Sequence, residues 1–459
     1  MNSFDMDFTA IDRVRALNGG RTMRAYVITF GCQQNEADSE RVRGMAEMMG
    51  YTVVDSYTDA DLIVVNTCAI REHAEMKALS VLGNFKAIKQ RNPSLIVGVI
   101  GCMVAEPHVV ELLKTRFHYV SFTLEPNMLH KLPDAILSIM LDGKRSFVIG
   151  KDDGSITEGI PSTRVVKHKA WVPIMYGCNN FCSYCIVPYT RGRERSRCAR
   201  TVIDECRELI RDGVKEINLL GQNVNSYRSD MDFPSLLESI AEIEGDFIIR
   251  FMTSHPKDVS DRLIEVMAKR AGKIAPYFHL PLQSGSNSIL RAMHRTYTRE
   301  RFIEIASKLR SSVPDIALST DVIVGFPGET EKDFLDTLDV LSKVGFDLVY
   351  AFKFSPRKGT PAAKMLDQIQ AGVADERMER LLSLTDKTSL LRSEPYLGNT
   401  VRVLVDSISE RNGITVYSGK TPTNKPVRFT SDKIISVGDF VNVVIEKALA
   451  FELSGKIKK

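Results

Sequence analysis

The sequence holds one tryptophan in 459 residues and nowhere approaches the roughly 20 consecutive apolar residues that a membrane-spanning helix needs. Its most apolar run, residues 95–105 (LIVGVIGCMVA), is short and broken by glycines, so no membrane partner is expected. The opening segment MNSFDMDFTAIDRV carries acids where a secretory leader carries bases, and it lacks an apolar stretch. Export is therefore not expected, and the cytoplasm is the expected compartment. Glycine (29) and proline (18) are too few for a fibrous or low-complexity chain, and no internal repeat is visible. What remains is a globular protein, 44% hydrophobic and 26% charged, long enough for two to four domains. Its eight cysteines, in a chain without export signals, read as thiolate chemistry or metal ligation rather than disulfides.

Net charge is only +4, but its distribution is uneven. From residue 396 onward ten bases face six acids, so the tail holds an excess equal to that of the whole chain. A second basic stretch, residues 191–200 (RGRERSRCAR), has five arginines and one glutamate. Two basic surfaces point to a polyanionic partner.

The patterning predicts an α/β protein. Strand-like segments at 25–30, 62–65 and 95–100 alternate with helical spacing at 36–49 and 72–90, which is the signature of a doubly wound parallel sheet. We place this N-terminal domain at residues 23–145, after a leader of residues 1–22 to which no role is assigned. A polar, glycine-bearing linker follows at 146–168. The alternation then restarts. Six strand candidates (171–175, 216–220, 248–252, 277–280, 317–324 and 348–354) are separated by helical segments such as 201–212, 235–244, 298–311 and 331–344. This predicts a partial (β/α)6 barrel over residues 169–395, closing with a helical stretch at 374–391. From 396 to 459 short alternating strands split by turn residues predict a small C-terminal β-barrel.

The densest chemical signal is Cys178-Asn-Asn-Phe-Cys182-Ser-Tyr-Cys185, just after the first expected barrel strand. Three thiolates on one short loop can hold three irons of a [4Fe–4S] cluster and leave the fourth iron open. The competing reading is a structural zinc knuckle, but that calls for four ligands and no fourth is evident nearby. The carboxyl end of a barrel strand is also where barrel enzymes keep their active sites. Cys32, Cys68 and Cys102 each follow an expected strand of the N-terminal sheet, with spacings of one strand–helix unit. A parallel sheet brings such strand ends to one edge, so these three thiolates converge and predict a second cluster; three buried, inert cysteines are the alternative. Cys206 falls in a helical pattern and reads as core, and Cys198, in the arginine-rich segment, as surface or interface; neither is assigned to a metal. His255 and His279, at expected strand ends, read as structural because no acid–base partner is visible in sequence. Asp321 opens a strand that ends in GFPGET, whose glycines permit close approach to a ligand.

The three-cysteine spacing resembles that of the radical S-adenosylmethionine (SAM) superfamily. By that resemblance the open iron chelates SAM, whose reductive cleavage yields a 5′-deoxyadenosyl radical. Tyr184 would lie against the adenine, and Gly221, Gln222 and Asn223 would meet the methionyl amino group, although the usual GGE is here GQN. Gln283 and Asp321, in segments facing the same mouth, join them as expected SAM contacts. With TFGCQQNEADSE, DLIVVNTCAIREHAEMK, VIGCMVAEP, MYGCNNFCSYCIVPYTRGRERSR, LLGQNVNSY, HLPLQSGSN and DVIVGFPGET, the chain is similar to the methylthiotransferases from about Met23 to Leu453.

That resemblance implies a radical SAM barrel, a C-terminal TRAM RNA-binding domain, two [4Fe–4S] clusters, and SAM used both as methyl donor and as radical source. Cys178, Cys182 and Cys185 would be catalytic, ligating the SAM-cleaving cluster; Cys32, Cys68 and Cys102 would hold the auxiliary cluster that carries or delivers sulfur. YTRGRERSR and LGQNVNSY point to the branch that methylthiolates C2 of isopentenyl-adenosine beside the tRNA anticodon. The expected partners are the tRNA anticodon stem-loop, an electron donor and a sulfur source. Two other readings stand beside it: the same reaction on threonylcarbamoyl-adenosine or on an aspartate of a ribosomal protein, and a non-catalytic iron–sulfur RNA-binding protein.

Overall fold

The structure is a computed structural model that describes residues 3–69, 72–148 and 154–458. Ile70 and Arg71 of one sequence motif, and residues 149–153 of the expected linker, lie outside the described residues. The chain forms two compact units: Met1–Val165 with Met175–Asn179 and Cys185–Arg197, and Val166–Ile174 with Asn180–Tyr184 and Cys198–Lys459.

In the first unit the elements run β1 (Ser3–Asp5), α1 (Thr9–Asn18), β2 (Met23–Thr29), α2 (Gln33–Met48), β3 (Tyr51–Val53), β4 (Leu62–Thr67), α3 (Glu72–Arg91) and β5 (Ile96–Gly101). They continue through α4 (Pro107–Arg116), β6 (Phe122–Leu124), α5 (Leu132–Asp142), β7 (Ser146–Val148) and β8 (Ile156–Glu158). Six strands make one sheet in the order β3-β2-β4-β5-β6-β7, every pairing parallel. The strands LIVVNT and IVGVIG are buried along their whole length, as central strands covered on both faces must be. Alternate residues serve the two faces: Val64 and Ile100 belong to one core, Val65 and Val99 to the other. The doubly wound fold expected from the sequence is therefore present.

Two segments are more structured than their composition suggests. The leader contains α1, which places Ala10, Ile11 and Val14 in the first core and ties Asn18 Nδ2 to the Met49 carbonyl at 2.9 Å. The polar linker contributes β7 to the sheet edge, and β8 pairs in parallel with β1. Each of these strands is three residues long, too short for a period-2 signal to rise above the polar residues around it.

The second unit holds β9 (Lys169–Pro173), β10 (Glu216–Leu220), β11 (Ile248–Phe251), β12 (Tyr277–His279), β13 (Ala317–Val324) and β14 (Leu348–Lys353). Strands pair in parallel as β11-β10-β9 and β12-β13-β14, and an isolated parallel bridge links Ile249 of β11 to Ile274, three residues before β12. This is the expected six-stranded partial barrel. Its helices open on side-chain caps at Asp232, Ser260, Thr298 and Thr330, each satisfying an orphan backbone N–H. Beyond the helix Ala371–Ser393, five strands close a small barrel: β15 (Thr400–Arg411), β16 (Ile414–Lys420), β17 (Pro426–Thr430), β18 (Phe440–Ala448) and β19 (Leu453–Ile457). Its core takes alternate residues such as Val403 and Val405, Val427 and Phe429, Val443 and Ile445. The closing strand β19, absent from the sequence expectation, pairs with both β17 and β18.

A buried ionic cluster fastens the small barrel to the amino-terminal ends of the larger barrel's strands. Arg250 of β11 donates to Glu216 Oε2 at 2.8 Å and to the carbonyls of Thr421 and Pro422, both at 2.8 Å, in the turn after β16. Lys169 lies 3.4 Å from Glu216 and 2.7 Å from Asp406 of β15, which also meets His168 at 3.2 Å. Burial alone would push the Glu216 carboxyl up, but Arg250 and Lys169 together hold it below the usual carboxylate range. The opposite mouth, at the carboxyl ends of the strands, is thereby left to the candidate site.

Removing one partner of a buried pair strands the other charge and typically costs about 3–5 kcal/mol. Arg250→Ala should therefore lower the thermal midpoint sharply, while Arg250→Met combined with Glu216→Gln recovers much of the loss. A change in unfolding free energy below about 1 kcal/mol for Arg250→Ala would refute the clamp. Because Glu216 is shifted down, its contribution is complete above the ordinary carboxylate range and fades as pH falls through it.

Candidate functional site

Strands β2, β4 and β5 are neighbours in the sheet, and their carboxyl ends carry Cys32, Cys68 and Cys102 in turn. The loops are held by amides rather than by apolar packing. Asn35 donates to Asn66 Oδ1 at 2.9 Å and to the Thr67 carbonyl at 3.0 Å, and its own Oδ1 lies 3.3 Å from Cys32 Sγ. Asn66 in return donates to the Asn35 carbonyl at 2.8 Å and to Ser39 Oγ at 2.9 Å. Gly101, at φ +96°, lets the chain turn into Cys102 where a Cβ would collide with the Thr67 carbonyl. Cys102 is buried against Ala69 and Ile186. Burial pushes its thiol up to about 11, Cys68 and Cys32 push the same way as like charges, and Arg191 opposes them. Cys68 and Cys32 thus both lie within electrostatic reach of Cys102.

Arg191 is the residue that the sequence pattern misrepresents. The stretch RGRERSRCAR reads as a basic surface, yet three of its arginines are buried. Arg191 donates to Cys102 Sγ at 3.1 Å and to Asp38 Oδ2 at 3.1 Å, Arg195 to Asn127 Oδ1 at 2.7 Å, and Arg197 pairs with Glu158 at 2.7 Å. Charged side chains are buried only when paired; here the partners come from distant segments that no local reading supplies. Of the five arginines, Arg193 and Arg200 are exposed.

In the cluster loop itself, Cys178 and Cys185 group with the first unit, Cys182 and Tyr184 with the second. Gly177, at φ +72°, brings the backbone against Arg193, and Cys178 N donates to the Gly192 carbonyl at 3.1 Å. Cys182 Sγ accepts an N–H from Arg295 Nη1 at 3.4 Å, and Ser183 Oγ donates to the Ala292 carbonyl at 2.8 Å. Tyr184 meets Phe326 edge to face at 6.4 Å, beside Ile289 and Met293, so one flat aromatic side chain is held in an apolar wall. Cys206 is buried and Cys198 exposed. Among the described residues no three His, Cys, Asp or Glu side chains close around a single metal ion. The donor chemistry that is present, sulfur with a guanidinium hydrogen-bonded to it, suits a sulfur-ligated cluster.

At the barrel mouth, Gly221 O accepts from Thr253 Oγ1 at 2.6 Å and Asn223 Nδ2 donates to Asp258 Oδ2 at 2.7 Å, tying together the turns that follow β10 and β11. Asn223 Oδ1 is buried there without a hydrogen-bond partner among the described residues, as are both polar atoms of the Asn225 amide and Ser254 Oγ. Gln222 is half-buried beside them. Gln283, at φ +68°, is held to β13 through its backbone, with N donating to Asp321 O at 2.8 Å. Asn225 and Ser254 carry no chemical signature of their own in the sequence; only their orphaned polar atoms identify them. His279 has the acidic neighbour that sequence could not show: Nε2 lies 3.3 Å from Asp321 Oδ2 and Nδ1 2.9 Å from Ser319 Oγ. His255 is structural, accepting from Lys257 N, and burial with Arg295 and Lys257 nearby pushes it down to about 2, so it stays neutral.

Three family matches cover this architecture in order. Residues 24–124 match the uncharacterized protein family UPF0004, residues 172–341 the radical SAM superfamily, and residues 394–458 the TRAM domain. A tRNA-2-methylthio-N(6)-dimethylallyladenosine synthase from Thermoanaerobacter sp. (strain X514) is 46% identical over 444 residues, 96% of this chain and 94% of that protein. The chain belongs to the methylthiotransferase family of radical SAM enzymes. A second such synthase, from Acetivibrio thermocellus, is 45% identical over 458 residues, covering 97% of this chain and 95% of its own. Among solved structures, the radical SAM methyltransferase TsrM from Kitasatospora setae superposes with a TM-score of 0.56 at 12% identity, over 74% of this chain and 75% of that one. At that identity the likeness shows fold alone.

If both triads serve as ligands, the reconstituted protein should carry about eight irons, two [4Fe–4S] clusters. Triple alanine variants of either triad should each retain about four. Iron and sulfide analysis checks this, and about four irons in the unaltered protein would refute it.

Proposed function

We infer that this chain is a tRNA methylthiotransferase that replaces the C2 hydrogen of isopentenyl-adenosine, beside the anticodon, with a methylthio group. The likeness to the synthases over nearly the whole chain carries this reading. The chemistry asks for what the site offers. An aromatic C2–H has no leaving group and is not acidic, so an acid–base side chain cannot replace it. When bound, two clusters and SAM supply a hydrogen-abstracting radical, a methyl group and a held sulfur.

The chain's own part is binding, orientation and exclusion of water. In this reading Cys178, Cys182 and Cys185 ligate the SAM-cleaving cluster, and Cys32, Cys68 and Cys102 the auxiliary one. Tyr184, Gly221, Gln222, Asn223, Gln283 and Asp321 contact SAM. Asp321 is steadied by His279, which is itself held by Ser319. The electron donor and the sulfur source are partners outside this chain, and the enzyme works on tRNA in the cytoplasm. The tail grips the anticodon stem-loop through exposed lysines. Several of its bases are occupied within the protein: Lys425 is buried against Ser393 and Arg428 pairs with Glu452. Lys433, Lys447 and Lys458 are exposed and take the phosphate contacts.

Mass analysis of tRNA from a deletion strain tests the substrate. Isopentenyl-adenosine should accumulate without its methylthio group, whereas loss from threonylcarbamoyl-adenosine instead would overturn the assignment. The triple alanine variant of Cys32, Cys68 and Cys102 should still release 5′-deoxyadenosine from SAM and dithionite yet methylthiolate nothing. Charge reversal of Lys433, Lys447 and Lys458 should weaken tRNA binding and flatten its salt dependence, by about 0.7–0.9 in slope for each phosphate no longer neutralised. An unchanged slope would remove these lysines from the interface.

A further inference from the structure

Among the described residues each cysteine triad has a buried guanidinium aimed at one of its sulfurs, and these two guanidinium groups differ in how their charge is balanced. Arg191 donates through Nε to Cys102 Sγ and through Nη2 to Asp38 Oδ2, both at 3.1 Å, so a carboxylate cancels its charge beside the sulfur. Arg295 donates through Nη1 to Cys182 Sγ at 3.4 Å, through Nε to the Tyr297 hydroxyl at 3.0 Å and through Nη2 to the Pro281 carbonyl at 3.1 Å. Tyr297 and Pro281 are neutral partners, and among the described residues no carboxylate pairs with Arg295. His255, edge to face with Tyr297, stays uncharged, through burial and in part because of that same cation.

We propose that Arg191 and Arg295 are positioning residues that set an order of reduction potentials, making the barrel cluster the easier of the two to reduce. The proposal rests on the reading of both triads as cluster ligands. One-electron reduction adds a negative charge to a cluster, and a fixed cation at a ligating sulfur stabilises that charge most where little solvent screens it. Arg295 contributes a full positive charge. The Arg191–Asp38 pair contributes a hydrogen bond but almost no net charge. An electron from an outside donor therefore settles on the cluster that must reduce SAM, while the auxiliary cluster keeps its electron count and remains a sulfur holder.

The test uses full-length protein carrying one cluster at a time, through the triple alanine variant of the other triad. Each is titrated anaerobically with dithionite against redox mediators and followed by electron paramagnetic resonance, without SAM or tRNA. The barrel cluster should reduce at the higher potential. Arg295→Gln should shift it to a more negative value, while Arg295→Lys, which keeps the charge, should hold it nearly in place. Asp38→Asn should shift the auxiliary cluster upward, toward the barrel cluster. Equal or reversed potentials, or an Arg295→Gln protein that keeps its iron and its midpoint, would overturn the proposal. If Arg295→Gln loses its iron, Asp38→Asn decides, since an unmoved auxiliary midpoint overturns it equally. Single-triad proteins that bind no iron would instead bring down the ligand reading itself.

Discussion

Parallel strand pairing is the constraint on which this protein depends. Strands that run the same way end at the same edge, so residues placed within a few positions past each strand meet however far apart they lie in sequence. Cys32, Cys68 and Cys102 use the N-terminal sheet in this way, and the barrel places Gly221, Ser254 and Gln283 past the ends of β10, β11 and β12 by the same rule. Both folds spend their apolar residues on covered strands and leave the strand ends to polar, glycine-bearing turns.

What stands behind those ends is a set of buried polar groups rather than apolar packing. Asn35 and Asn66 exchange hydrogen bonds with each other's loops, and Arg191 joins Cys102 to Asp38. Such networks hold one geometry because a member left unsatisfied in a low-dielectric interior is costly. They suit a site whose ligands must stay ready without a packed core around them. At the other end of the barrel the same device is structural: Glu216, Arg250, Lys169 and Asp406 anchor the RNA-binding module opposite the mouth. The module is therefore held on a fixed support.

Charge in this chain is consequently a poor guide to its RNA surface. Arg191 and Arg197 pair with the interior acids Asp38 and Glu158, Arg195 donates to the Asn127 amide, and several bases of the tail are engaged by Ser393, Glu452 and Asp246. The lysines that remain at the surface are fewer than composition suggests, and they are dispersed over the small barrel.

The alternation of strands and helices, the six cysteines at strand ends and the closing β-rich tail are all legible in the sequence, because each is a local pattern repeated often enough to stand out. The short strands β1, β7 and β8 are not, nor is the helix of the leader, whose apolar residues are few and find their core only across the fold. His279 could not reveal Asp321, nor Arg191 its two partners, since those contacts join residues 42, 89 and 153 positions apart. Sequence determined which candidate side chains stand at which strand ends. Only the tertiary structure decided which charges are buried, because burial of a charge depends on a partner arriving from elsewhere in the chain.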